Sequence, residues 1–184
     1  MSPIRAIPRS ITSRIGPCRL TRVTGAPFSS QWTRTPDALE ITISTTGRRP
    51  HDVALELLLC VGQALWETTS RAEREAWWRL LVAEIEASVS GEIDEESLRH
   101  KRALLRSRAS ARSSRRFVKY AAASFASTVA EYIHCLWHDV KVRTGPQHLP
   151  ALSLRRRLET LARWFPPNPG YRLFPRRSVR KSSR

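Results

Sequence analysis

Apolar residues recur at helical spacing in five stretches of the chain and alternate with polar ones in a sixth, and this division predicts the architecture. Between His51 and Glu67, Val53, Leu55, Leu57, Leu58, Leu59, Val61, Leu65 and Trp66 cover most of a helical wheel. Asp52, Glu56, Gln63 and Glu67 are left in one stripe within an arc of about 60°, at about 100° per residue. Pro50 suits the first position of that helix. A helix apolar nearly all round is surrounded by others, so 51–67 is the expected central helix. A second helix runs from Arg71 to about Val89; Ser70 and Glu73 form a capping box at its start, and Gly91 stops it. Asp94 caps a third, with Glu95 and Glu96 in the first turn where the helix dipole favours negative charge. A fourth runs from Phe117 to Asp139, with Val118, Ala122, Phe125, Val129, Tyr132, Ile133 and Leu136 on its core side. A fifth runs from Ala151 to Phe165, and the run Pro166-Pro167-Asn168-Pro169-Gly170 ends it.

The alternating stretch is Ala38–Ser44, a short strand closed by Gly47. One strand needs a partner; Val140 and Val142, alternating with Lys141 and Arg143, are the candidate for a two-stranded pairing with Ile41 and Ile43. The expectation is a mainly all-α, single-domain bundle of four to five helices over residues 37–170, with a short extended β segment or that pairing. Residues 1–36 and 171–184 are expected as disordered basic tails. The first of these is rich in Arg, Ser and Pro, the composition of an organelle transit peptide, but Pro3, Pro8, Gly16 and Pro17 interrupt any long amphipathic helix.

Charge changes this picture less than its total suggests. The net charge is +16, of which the two tails carry +12: six Arg and no acid before Asp37, five Arg and Lys181 and no acid after Gly170. The segment between them holds 20 basic and 16 acidic residues. Within it, no acid occurs between Ser97 and Ala130, a stretch that includes Arg106-Ser107-Arg108-Ala109-Ser110-Ala111-Arg112-Ser113-Ser114-Arg115-Arg116. That run lacks the apolar surface to order itself and has no interleaved aromatics for base stacking. Arg106, Arg108, Arg112, Arg115 and Arg116, with Arg155, Arg156 and Arg157 on the last helix, are the candidate contacts to an anionic partner, either nucleic acid or an acidic protein.

Three cysteines, Cys18, Cys60 and Cys135, are too few and scattered for a disulfide framework, which points to a reducing, cytoplasmic setting. No apolar run is long enough to span a bilayer. Nucleophile elbows, Gly-rich phosphate loops and zinc-finger spacings are absent.

The densest chemistry lies in Glu131-Tyr132-Ile133-His134-Cys135-Leu136-Trp137-His138-Asp139. Glu131, His134 and His138 share an arc of about 60° on the helix side away from its apolar face. Histidines four apart can bind one metal ion, and a carboxylate three residues before the first adds a ligand. The same side carries Tyr120, Ala123 and Ser127, small or amphipathic residues that let another helix approach. Glu56 on the 51–67 helix and Glu84, which projects into an apolar arc where it must snorkel, pair or ligate, are the candidates to complete a mononuclear site for a divalent ion (Zn, Fe or Mn). Two functions follow: a non-enzymatic helical binding or accessory protein engaging an anionic partner, or a helical metalloprotein centred on Glu131, His134 and His138 that can be a metal-dependent enzyme.

Overall fold

The computed structural model describes residues 3–27, 29–106, 114–137 and 147–174. It is mainly α-helical with one small mixed sheet. A 3-10 turn (Pro3–Ala6) and helix α1 (Arg9–Ile15) lead into strands β1 (Cys18–Val23), β2 (Ser30–Arg34) and β3 (Leu39–Ser44). Helices α2 (Pro50–Glu67), α3 (Arg71–Glu86), α4 (Glu95–Leu105), α5 (Arg115–Trp137) and α6 (Ala151–Trp164) follow. Among the described residues no helix is long and apolar enough to cross a membrane.

The capping expectations hold at atomic detail. Ser70 Oγ accepts from the Glu73 backbone N–H at 3.2 Å and Glu73 Oε2 accepts from the Ser70 N–H at 2.8 Å. Asp94 Oδ1 accepts from the Ser97 N–H at 2.7 Å. These bonds satisfy backbone donors that a helix start otherwise leaves open.

Residues 3–27 and 29–36, expected within a disordered tail, are instead part of the fold. Ile7, Ile11 and Ile15, spaced four apart, are all buried in the core. Pro8 stands at the N-cap of α1 and so opens the helix instead of interrupting it. Gly16 ends it with φ of +82°, and a Cβ there would meet Ala38 Cα at 3.0 Å. Asn168 then ties the segment to the far end of the chain: its Oδ1 accepts from the Arg9 N–H at 2.8 Å and its Nδ2 donates to Ile7 O at 2.9 Å. Arg14 adds a two-pronged bond to Glu73, at 2.9 and 2.8 Å, the carboxylate that also closes the capping box.

This segment also supplies the partners of the strand. β3 is central in the order β1-β3-β2, parallel to β1 and antiparallel to β2. Ile41 sits between Leu20 and Trp32, so the expected pairing with Val140 and Val142, which lie outside the described residues, is replaced by strands from the N-terminal stretch. Leu39, Ile41 and Ile43 are buried, as the alternation demands.

The central helix is α5, not the 51–67 helix. It packs against α2, α3, α4, α6 and the N-terminal turn, and its buried positions lie on every side. Its small residues make this possible. Ser127 and Thr128 donate their hydroxyls back to Ser124 O, at 3.2 and 2.6 Å, so the polar-looking face is buried with its hydrogen bonds made. Val118, expected in the core, is 43% exposed, whereas Tyr120, expected opposite it, is fully buried. Helices α2 and α5 run antiparallel and close together: a Cβ on Gly62 would stand 2.5 Å from Ala126 O, so only glycine permits the crossing. Two members of the acidic stripe of α2, Glu56 and Gln63, are turned towards the sheet. Glu56 accepts from Ser30 Oγ at 2.5 Å and from Arg48 at 3.3 Å, and Gln63 Oε1 accepts from Trp32 Nε1 at 2.9 Å.

Candidate functional site

The densest polar constellation among the described residues is a buried centre around Arg157. On α6, Leu154, Leu158 and Leu161 face the core, and Arg157, three residues after the first and four before the last, points the same way. Its side chain is fully buried. A guanidinium has five N–H groups to satisfy, and all are engaged. Nε bonds Glu84 at 3.1 Å; Nη1 bonds Glu92 Oε2 and Ser124 Oγ, each at 2.7 Å; Nη2 bonds Glu84 Oε2, and Glu92 Oε1 at 2.9 Å. Glu92 also accepts from Lys101 Nζ at 3.1 Å and Tyr120 Oη at 2.5 Å, and Lys101 reaches Gly91 O at 3.0 Å. The guanidinium lies 5.9 Å from the ring centre of Trp77, whose N–H bonds Ala121 O.

Two cations face two carboxylates, so the centre is charge-balanced. Burial alone would raise the Glu92 carboxyl; the charge and hydrogen bonds of Arg157, then Lys101 and Tyr120, overcome it and hold the group below the ordinary carboxylate range. For Lys101 burial dominates and lowers the ammonium despite Glu92. Tyr120 is pushed up by burial and then by Glu92, and stays a neutral donor. Every N–H of the guanidinium is answered within this network. It joins α3, the loop before α4, α4, α5 and α6 at one point, which is a structural role.

The residues expected to bind a metal are placed apart. Glu84 belongs to the Arg157 centre and Glu56 to the sheet contact, because each finds an arginine partner there that offsets its desolvation. Glu131 and His134 do stand together at the C-terminal end of α5, with 3.6 Å between Glu131 Oε2 and His134 Nδ1. The neighbour that α2 brings to them is His51, whose ring centre lies 5.2 Å from that of His134. Burial, and then the Glu131 charge, push the Cys135 thiol up to about 12. His138 lies outside the described residues. Among the described residues, no three His, Cys, Asp or Glu side chains gather so as to hold a metal ion.

The arginines divide sharply. Arg157 is removed from the candidate contacts by its burial, while Arg106, Arg115, Arg116, Arg155 and Arg156 are exposed and Arg108 and Arg112 lie outside the described residues. Arg155 pairs with Glu159 at 2.8 Å. At the α4–α5 end, Arg102, Arg106, Arg115, Arg116 and Lys119 are exposed and make no ion pair among the described residues; Arg116 reaches only Ala103 O, at 3.4 Å. Leu105 and Val118, at the same end, are 56% and 43% exposed.

Beside this basic end lies an open cleft of about 540 Å³ between α2 and α4, floored by Ala122, Ala123 and Ala126 of α5. Trp32 of β2 and Leu59, Gln63, Trp66 and Glu67 of α2 line it together with Asp94, Glu96, Arg99 and His100 at α4 and Lys119 of α5. Arg99 is held at 3.5 Å from Glu96.

The chain matches no protein-family model, no curated protein and no solved structure. Sequence reasoning missed the Arg157 centre, although its signals were present. Glu84, Lys101 and Arg157 each interrupt an apolar helical stripe, and three charges of both signs on inward faces point to one another.

Proposed function

We propose that this protein is a non-enzymatic helical binding domain that engages an anionic partner through the exposed basic end of the α4–α5 hairpin. The observation that carries this reading is the set of unpaired cations there. Elsewhere on the surface, exposed arginines without an ion pair among the described residues, such as Arg22, Arg34 and Arg79, lie on separate elements, and Arg14, Arg49, Arg71 and Arg155 have carboxylates within 3.0 Å. Arg102, Arg106, Arg115, Arg116 and Lys119 have none among the described residues, because no acid occurs in the sequence between Ser97 and Ala130. Uncompensated like charges held on two adjoining helix ends create a positive field that a polyanion relieves.

The reading is tested with fluorescent polyglutamate and with oligothymidylate titrated against the full chain at rising salt. Binding of either that weakens steeply with salt, and that is lost when Arg102, Arg106, Arg115 and Arg116 are all changed to Glu, is the expected result. Binding that ignores both salt and the fourfold change overturns it.

A further inference from the structure

The cleft beside the basic end gives that surface an apolar half, and the two halves together select among anionic partners. We infer that the cleft between α2 and α4 receives an acidic protein segment bearing apolar side chains, whose carboxylates lie on the α4–α5 cations. This inference rests on the proposed anionic-partner reading and names its partner class. Trp32, Leu59, Trp66 and the three alanines of the floor present indole and aliphatic surface, which Leu, Phe or Trp side chains fill well. The alanines leave room where larger residues would close the slot, and the walls are held apart because α2 and α4 both pack on α5. One wall continues into the basic surface: Lys119 belongs to the cleft and stands one turn along α5 from Arg115 and Arg116. Leu105 and Val118 add apolar contact on the basic end itself.

Charge decides between a protein segment and a nucleic acid. Glu67, Asp94 and Glu96 border the cleft. Burial raises the Asp94 carboxyl, opposed by its bonds to Ser97, whereas Glu67 and Glu96 are exposed at the rim. A continuous phosphate chain entering here would bring a charge against these carboxylates at every nucleotide. A peptide spaces its charges and can place an apolar residue or a cation opposite them, so mixed chemistry fits where uniform chemistry does not.

The test is selection of a displayed peptide library on the full-length protein, followed by titration of synthetic copies of the enriched peptides. The expected peptides combine Asp or Glu with Leu, Phe or Trp and perturb the tryptophan emission. They bind about tenfold or more weakly to Ala123→Trp, which fills the floor, and to Lys119→Glu. Ala123→Gln, a smaller obstruction on the same helix face, gives an intermediate loss and serves if the Trp variant melts early. Enriched peptides that are merely acidic, and that bind Ala123→Trp and Ala123→Gln as they bind the parent, overturn the inference while leaving the anionic-partner reading standing. So does oligothymidylate binding that is weakened by Ala123→Trp when no peptide is enriched, since the occupant is then a nucleic acid. Failure of peptides, polyglutamate and oligothymidylate together removes both.

Discussion

Arg157 and the arginines of the α4–α5 end are the same residue under opposite constraints. Arg157 sits on the inward stripe of α6, and the fold supplies two carboxylates and a serine hydroxyl to its five N–H groups. Arg102, Arg106, Arg115 and Arg116 point to water at the junction of two helices, in a stretch with no acid to meet them. The contrast teaches that a basic composition says little until each cation is placed. A buried cation that lost a partner would be costly to leave, so it locks the packing of the helices around it. An exposed one costs almost nothing to leave unpaired and is available to a partner.

The comparison breaks most visibly at Arg157. Arg157→Met leaves Glu84 and Glu92 with Lys101 as the remaining cation, and should cost about 3–5 kcal/mol in urea unfolding. Arg156→Met, one residue away on the exposed side, should stay within about 0.5 kcal/mol. A near-equal loss at both would show that the centre does not hold the bundle together. Next in size is the coupling between Glu92 and Lys101. A double-mutant cycle with Glu92→Gln and Lys101→Met should return an interaction of about 1–3 kcal/mol, because removing both partners strands less charge than removing either.

Acid sharpens the contrast further. The folded protein holds the Glu92 proton less tightly than the unfolded chain does. The stability from this group is therefore complete above the ordinary carboxylate pKa of about 4.3, and is lost as pH falls through that value towards the lower folded one. Stability measured against pH should fall less steeply over that window in Glu92→Gln than in the parent. The smallest stability effect belongs to the basic end. Changing Arg102, Arg106, Arg115 and Arg116 to Ala should shift unfolding by no more than about 0.5 kcal/mol per site, while flattening the salt dependence of polyglutamate binding. A marked loss of stability there would mean that these residues support the fold.

Much of the helical frame was legible in the order of residues. The capping box at Ser70 and Glu73, the Asp94 cap and the proline run after α6 are local devices, and local spacing reveals them. The N-terminal segment was misread because Pro8 and Gly16 look like interruptions, although they bracket one short helix whose Ile7, Ile11 and Ile15 stripe is regular. Tyr120 and Ser127 were misread for a related reason. Their hydroxyls look wet until the carboxylate or carbonyl that satisfies each is known. The expected metal set was only partly assembled: Glu131 and His134 are neighbours on one helix, but Glu56 and Glu84 depended on how other helices rotate about α5.

What the sequence determined by itself is whatever acts within a turn or two of chain. That includes where helices start and stop, which strand alternates, that Glu84 cannot rest alone in an apolar arc, and that no acid answers the cations between Ser97 and Ala130. Tertiary structure alone decided which distant charge Glu84 meets, which segments flank β3, and that Trp32 and Trp66 share a cleft with Arg99 and Lys119. The physical reason is that desolvation is settled by the whole surroundings of a side chain. A charge or indole is assigned to core, surface or cleft only when helices far apart in sequence have closed around it.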